Sequence, residues 1–287
     1  MAEIHHFEYG WITPTLSYAL SVLGSLLGLT CAVRVRQAST PGRRAWWLVL
    51  AAWAIGGTAI WTMHFMAMLG FSVVGSQIRY DVPLTAASAL IAIVVVGVGL
   101  FIAAFGRPNL FKIVLGGIFA GVGVAAMHYT GMYAMRINGE VAYNTRYVAA
   151  SVVIAVVAAT VALWLVVKVS GAAAIIGSAF VMGIAVNGMH FTGMAAMAVH
   201  LNEVPSVVSG ARAATLLVPI VLAVICVVVA LIYAVLAAPT DEDRMGAAYL
   251  SARIADRSAL PPQAPEPPPF GGKRGSTSFV SRNNFRP

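Results

Sequence analysis

Seven stretches of this 287-residue chain run for about 20 residues or more without an Asp or Glu. They are Thr15–Val33, Trp46–Phe71, Pro83–Phe105, Phe111–Met135, Tyr147–Val167, Ala173–Val199 and Ala213–Ala238. A helix rises about 1.5 Å per residue and a bilayer's hydrocarbon is about 30 Å thick, so roughly 20 apolar residues make a span. The predicted fold class is therefore all-α: a polytopic membrane protein with seven transmembrane helices. Composition agrees, with 60% hydrophobic residues, 10% charged residues and a mean hydropathy of +0.85. Soluble domains run near 25% charged. A soluble enzyme is excluded, and so is disorder over most of the chain. Spans without carboxylates also argue against a proton pump or ion-coupled carrier.

The net charge of +8 does not indicate a nucleic-acid partner, because the charges fall in loops and the tail. Of 18 Lys and Arg, 14 lie on one side of the spans, among them Arg34, Arg36, Arg43, Arg44, Arg107, Lys112 and Lys168. Only Arg79, Arg136, Arg146 and Arg212 lie on the other. The basic side is expected to be cytoplasmic, which places the N-terminus outside and the C-terminus inside. The N-terminal residues lack the basic start of a cleavable signal, so the first span is expected to act as a signal anchor. Trp11, Trp46 and Trp47 are read as interfacial residues. Cys31 and Cys226 are too few for a disulfide framework or zinc cluster.

The expected organisation is an extracytoplasmic segment (1–13), a membrane domain (14–238) and a cytoplasmic tail (239–287). Within the tail, Asp241–Ser258 can form a surface helix. Beyond it Pro261, Pro262, Pro265, Pro267, Pro268 and Pro269 favour an extended, mostly disordered segment. The tail is too short for a kinase, cyclase or phosphodiesterase, so any signalling output is expected on another chain.

Spans two, four and six end on related strings. These are Met63-His64-Phe65-Met66-Ala67-Met68, Met127-His128-Tyr129-Thr130-Gly131-Met132 and Met189-His190-Phe191-Thr192-Gly193-Met194. Gly57, Gly121 and Gly183 precede each motif methionine by the same interval. The spacing predicts three tandem two-helix repeats (15–71, 83–135, 147–199) plus a seventh helix (213–238). Duplication in steps of two spans keeps orientation, so the three histidines are expected at similar depth in the outer part of the bilayer. The glycines suit close helix contact. Of 12 methionines, only Met1, Met182 and Met245 lie away from the motifs.

Residues i, i+4 and i+7 share a helix face. That places His64, Met68 and Phe71 together, then His128, Met132 and Met135, then His190, Met194 and Met197. Met63, Met127 and Met189 point about 100° away, toward a neighbouring helix. Thioether and imidazole are neutral donors that suit Cu(I) better than Zn(II), Fe(II) or Mg(II). A monovalent ion is also roughly four times cheaper to desolvate than a divalent one. Copper, favoured as Cu(I), is therefore the expected cofactor of His64, His128, His190, Met63, Met68, Met127, Met132, Met189, Met194, Met135 and Met197. The rings of Phe65, Tyr129 and Phe191 are read as shielding groups around these ligands, with the Tyr129 hydroxyl able to orient an imidazole. One shared site and several separate sites both fit the spacing. Asn187 is expected to bond helix to helix; His5, His6 and His200 are read as solvated or interfacial.

The triplicated motif resembles the MHYT domain family, bacterial integral membrane sensor modules, over roughly residues 11–238. The resemblance implies a cytoplasmic-membrane protein whose motif residues bind copper and sense oxygen, carbon monoxide or nitric oxide, often with a fused cyclic-di-nucleotide or kinase output. The first motif departs from the pattern, with Met66 and Ala67 in place of Thr and Gly. Two functions follow as expectations. One is a copper-binding sensor that takes a diatomic gas as ligand and acts on a separate signalling partner. The other is copper storage or delivery to a cuproenzyme. Bis-histidine haem ligation is a third possibility. No acid–base pair or activated nucleophile stands at motif level, so catalysis is not expected.

Overall fold

The computed structural model describes residues 2–106, 108–204, 207–237 and 241–259, in two units, Met1–Ala237 and Ala238–Pro287. Among the described residues seven helices are long and apolar enough to cross a membrane: α1 (Ile12–Gln37), α2 (Pro41–Met68), α3 (Val82–Ala104), α4 (Leu110–Tyr133), α5 (Thr145–Lys168), α6 (Ala172–Met194) and α7 (Ala213–Leu236). The chain is an all-α, multi-pass membrane protein. Its lateral surface is apolar, with Leu90, Phe101, Val153, Ile184 and Leu222 all exposed, as lipid-facing helices require. Trp11 and Trp46 are exposed at opposite ends of the bundle, whereas Trp47 turns inward and is buried rather than interfacial.

Polar caps set where the helices begin. Thr40 accepts from the Arg43 amide ahead of α2, Asp81 from Leu84 ahead of α3, and Asn109 from Lys112 ahead of α4. Pro41 and Pro83 occupy the first turns, where no amide donor is needed. The Thr40 cap starts α2 five residues before the apolar run that hydropathy marks at Trp46. At the arginine end, the Arg36 guanidinium of α1 donates to the Val166 and Val169 carbonyls at the end of α5. Those carbonyls have no partner within their own helix.

Helices α1 to α6 form a ring in which each packs on its chain neighbours and α1 closes onto α6. The seventh helix lies outside the ring against α1 and α2, with 11% of its most apolar window buried. A Cβ on Gly121 would strike the backbone of Val156 and Ala155 on α5; one on Gly56 would strike the backbone of Ala92 and Ile93 on α3. Gly183 faces Tyr18 and Val22 of α1. Each motif helix thus meets the next helix of the ring through a glycine.

In the first copy this glycine is Gly56, whereas motif spacing selects Gly57. The cause is a π-helical stretch, Trp53–Thr62, in the middle of α2. A π turn takes up one extra residue and shifts everything before it around the helix. The Thr62 hydroxyl donates to the Gly57 carbonyl, five residues back, at 2.8 Å.

The motif helices stop at Met68, Tyr133 and Met194. Phe71, Met135 and Met197 therefore do not continue the helical stripe as expected from an i+7 spacing. The chain instead pairs in short antiparallel strands: β1 (Ile4–His5) with β2 (Ser72–Val73), β3 (Arg79–Tyr80) with β4 (Met135–Arg136), and β5 (Gly139–Tyr143) with β6 (Met197–Leu201). Three helix ends converge here, and strand pairing satisfies backbone groups that burial would otherwise leave unpaired. Asp81 joins the two architectures. Its carboxylate caps α3 and accepts from Arg136 of β4 at 2.8 Å. The Leu84 amide and the Arg136 guanidinium hold that carboxyl below the ordinary range.

The second unit contains α8 (Asp241–Ala259), close to the span expected for a surface helix. The proline-rich segment expected to be disordered lies outside the described residues.

Candidate metal centre

His64, His128 and His190 each lie about one turn from the strand end of α2, α4 and α6, and the ring geometry brings all three to one point. One donor nitrogen from each lies within 4.8 Å of the other two. The Nδ1 atoms of His64 and His190 are 3.0 Å apart, and those of His128 and His64 are 3.2 Å apart. Ring centroids form a near-equilateral triangle of 5.0, 5.0 and 5.2 Å, with the planes 71–88° apart. The three side chains are 1–2% exposed. The spacing in sequence left one shared site and several separate sites open; the rings form one cluster.

Hydrogen bonding satisfies this cluster only in part: with mixed tautomers an Nδ1–H of one ring can donate to the bare Nδ1 of its neighbour, at 3.0 or 3.2 Å. Each neutral imidazole carries a single N–H. All three Nε2 atoms are buried without a hydrogen-bond partner. With the protons on Nε2, three donors are orphaned in the helix walls and three lone pairs face one another. With the protons on Nδ1, three N–H groups meet instead. A cation held by the Nδ1 atoms turns the converging lone pairs into ligands. Three donors about 2.0–2.1 Å from one ion stand roughly 3.3–3.6 Å apart. The rings need to part by only a few tenths of an ångström, so the residues fit such an ion. Two rings in van der Waals contact leave no slot for a macrocycle, which disfavours haem.

The methionines divide into two sets. Met68, Met132, Met194, Met135 and Met197 lie in one buried layer with Phe65, Phe71 and Tyr80, between the strands and the ring interior. Met135 and Met197 reach this layer from strands rather than from a helix face. Met63, Met127 and Met189 are equally buried but fall outside that layer. Met189 lines an internal cavity on the arginine side of the histidines.

Tyr129 and Phe191 stand edge-on to His128 and His190, with centroids 4.9 and 5.0 Å apart. Phe65 stacks on Trp61 and tilts against Tyr80. The Ser151 hydroxyl donates to Val148, so the Tyr129 hydroxyl donates to Ser151 at 2.7 Å and does not orient an imidazole. Asn187 ties α6 to α1: it accepts from Ser17 and donates to Ser21, both at 3.0 Å. His6 packs on Phe71, and partial burial lowers its basicity. His5 and His200 are exposed and lie outside the cluster.

Two residues of the centre escaped sequence reasoning. His64 Nε2 occupies the space that a Cβ on Gly131 would fill, and His128 Nε2 does the same at Gly193. The glycine of one motif is thus the seat for the imidazole of the preceding repeat. The available signal was a glycine three residues after the histidine in copies two and three, replaced by Ala67 in copy one.

The family described as "Bacterial signalling protein N terminal repeat", MHYT, matches three times, over residues 57–117, 121–179 and 183–247, together more than half the chain. The chain belongs to the MHYT family. The family units begin midway along the second helix of each hairpin, in α2, α4 and α6, and the third runs through α7. Among curated relatives, the chain is 37% identical over 195 residues to the bifunctional diguanylate cyclase/cyclic di-GMP phosphodiesterase MucR of Pseudomonas aeruginosa, covering 66% of this chain and 28% of that protein. It is 35% identical over 189 residues to the cyclic di-GMP phosphodiesterase NbdA of the same organism, covering 63% and 24%. It is 29% identical over 209 residues to the signaling protein YkoW of Bacillus subtilis, covering 70% and 25%. The matched region thus spans about a quarter of each of these relatives. No solved structure matches the chain.

Proposed function

We propose that this MHYT protein is a membrane sensor module whose three converging histidines hold one cuprous ion. The observation that carries this reading is the Nδ1 triangle: three buried imidazoles with donor nitrogens that converge on one point, with no carboxylate or cysteine in the cluster. A neutral donor set favours a monovalent, soft cation, and the methionine layer one turn away supplies further soft donors. Bound there, a three-coordinate cuprous ion supplies an open position for a diatomic gas such as oxygen, carbon monoxide or nitric oxide. The protein's part is to exclude water, hold the rings edge to edge and disfavour divalent competitors.

With 14 of 18 Lys and Arg on the far side of the membrane from the motifs, the histidine end faces away from the cytoplasm and the C-terminus lies inside. The output is carried by a partner with the kind of cyclic di-GMP turnover named for MucR and NbdA. Anaerobic titration of the purified chain with Cu(I) against a competing chelator tests the metal site. One ion per chain is expected; no uptake above a detergent blank overturns the assignment.

A second reading, copper storage or delivery to a cuproenzyme, is favoured by the methionine layer, which places five thioethers between the cluster and the strand end. Deletion separates the two. A sensor's loss alters gas-dependent signalling, whereas a handler's loss leaves a cuproenzyme without metal.

A further inference from the structure

On the arginine side of the histidine cluster the ring lines a partly open cavity of about 50 Å³. Ile60, Val124 and Val186 line it, and each lies four residues before a motif histidine on the same helix face. The cavity is therefore on the bundle axis, one turn from the cluster. Its outer wall is made of alanines of α5 and α6, of which Ala158, Ala162 and Ala185 are only half-buried. That wall faces the hydrocarbon.

One polar side chain lines this apolar space. Ser25 of α1 is 0% exposed, and its Oγ has no hydrogen-bond partner. Thr13 in the first turn of α1 also has no partner, but farther along the helix Ser17, Ser21 and Thr30 donate to the carbonyls of Pro14, Ser17 and Leu26, three or four residues back. Ser25 breaks that pattern, and its hydroxyl is left for whatever enters the cavity. A buried water needs two to four polar partners, and the side chains lining this cavity offer one. An ion finds no counter-charge. A cavity of about 150 Å³ accommodates benzene, so one near 50 Å³ takes a molecule of about two heavy atoms.

We propose that this cavity is a docking site for a neutral diatomic molecule with one weak hydrogen-bond acceptor, entered from the lipid between α5 and α6. The inference rests on the sensor reading for its purpose, and its test is independent of metal. Apolar gases concentrate in hydrocarbon, so entry through the alanine wall samples the richer phase and bypasses the strand end. Ser25 then orients the molecule one turn from the cluster.

Xenon is the probe for the cavity and carbon monoxide the probe for Ser25. Metal-free full-length chain in lipid nanodiscs is expected to show one saturable xenon site by 129Xe NMR. Ala159→Leu, or Ala185→Leu entering from the other helix, fills the space and abolishes it, with Cu(I) uptake per chain retained. Ser25→Ala leaves xenon binding intact and weakens carbon monoxide binding in the metal-free protein about fivefold, the loss of one modest hydrogen bond. No saturable xenon site in the wild type, or a site that persists in both leucine variants, overturns the proposal. Xenon binding in a chain that takes up no copper leaves the cavity standing and removes the metal reading alone.

Discussion

Leucine at His64, His128 and His190 together removes Cu(I) binding and raises the melting temperature of the metal-free protein. Both effects come from the same three rings. Each imidazole buries an Nε2 without a partner, and an orphaned buried polar group costs about 1–3 kcal/mol. The Nδ1 atoms stand 3.0 and 3.2 Å apart, where an N–H···N bond between two rings offsets only part of that cost in the absence of a cation. Leucine has similar volume, needs no hydrogen bond and adjoins a layer already made of Met68, Met132, Met194 and aromatic rings. The metal-free triple variant should therefore gain on the order of a few kcal/mol, offset in part by imperfect packing. Thermal melts of both proteins in the same detergent, with copper quantified after anaerobic loading, give the answer. A variant that keeps its copper, or one that melts below the metal-free wild type, contradicts the account.

Alanine at Gly131 and Gly193 is expected to lower Cu(I) affinity about 10–100-fold without unfolding the protein, the scale on which groups that orient ligands act. A Cβ at either glycine lands on an imidazole Nε2 and pushes that ring off the triangle. Helix propensity works the other way: glycine to alanine inside a helix gains about 1 kcal/mol. Stability and affinity should thus separate. Gly188→Ala is the matched control, because it lies on the same helix as Gly193 and a Cβ there meets nothing within 4 Å. It should leave copper affinity unchanged. Equal losses of affinity in the control and in Gly193→Ala would show that the seat has no role.

The spans, the seven-helix class and the threefold repeat were legible because lipid imposes a length and because duplication copies a motif whole. The meeting of the three histidines was half legible. Similar depth follows from the repeat, but convergence depends on ring closure between α1 and α6, a contact between residues such as Ser17 and Asn187 that no local pattern announces. The helix ends were misjudged where apolar residues continue past them. Met135 and Met197 are as hydrophobic as the helix before them, and only the meeting of three chain reversals turns them into strands. The π turn in α2 was hidden for a related reason. It preserves the motif and moves only the contact glycine, from Gly57 to Gly56. The seats at Gly131 and Gly193 were present in the motif itself, but their meaning lies in contacts between different repeats of the chain, so each copy read alone shows only a small residue in a helix.

X-ray absorption at the copper edge of the Cu(I)-loaded full chain addresses the central claim most directly. The Nδ1 triangle predicts a low-coordinate cuprous centre with imidazole nitrogens at about 2.0 Å and the multiple scattering of histidine rings. That signature should vanish in the His64→Leu, His128→Leu, His190→Leu protein. A shell of sulfur or water oxygen without imidazole, or a spectrum the triple substitution leaves unchanged, would contradict it.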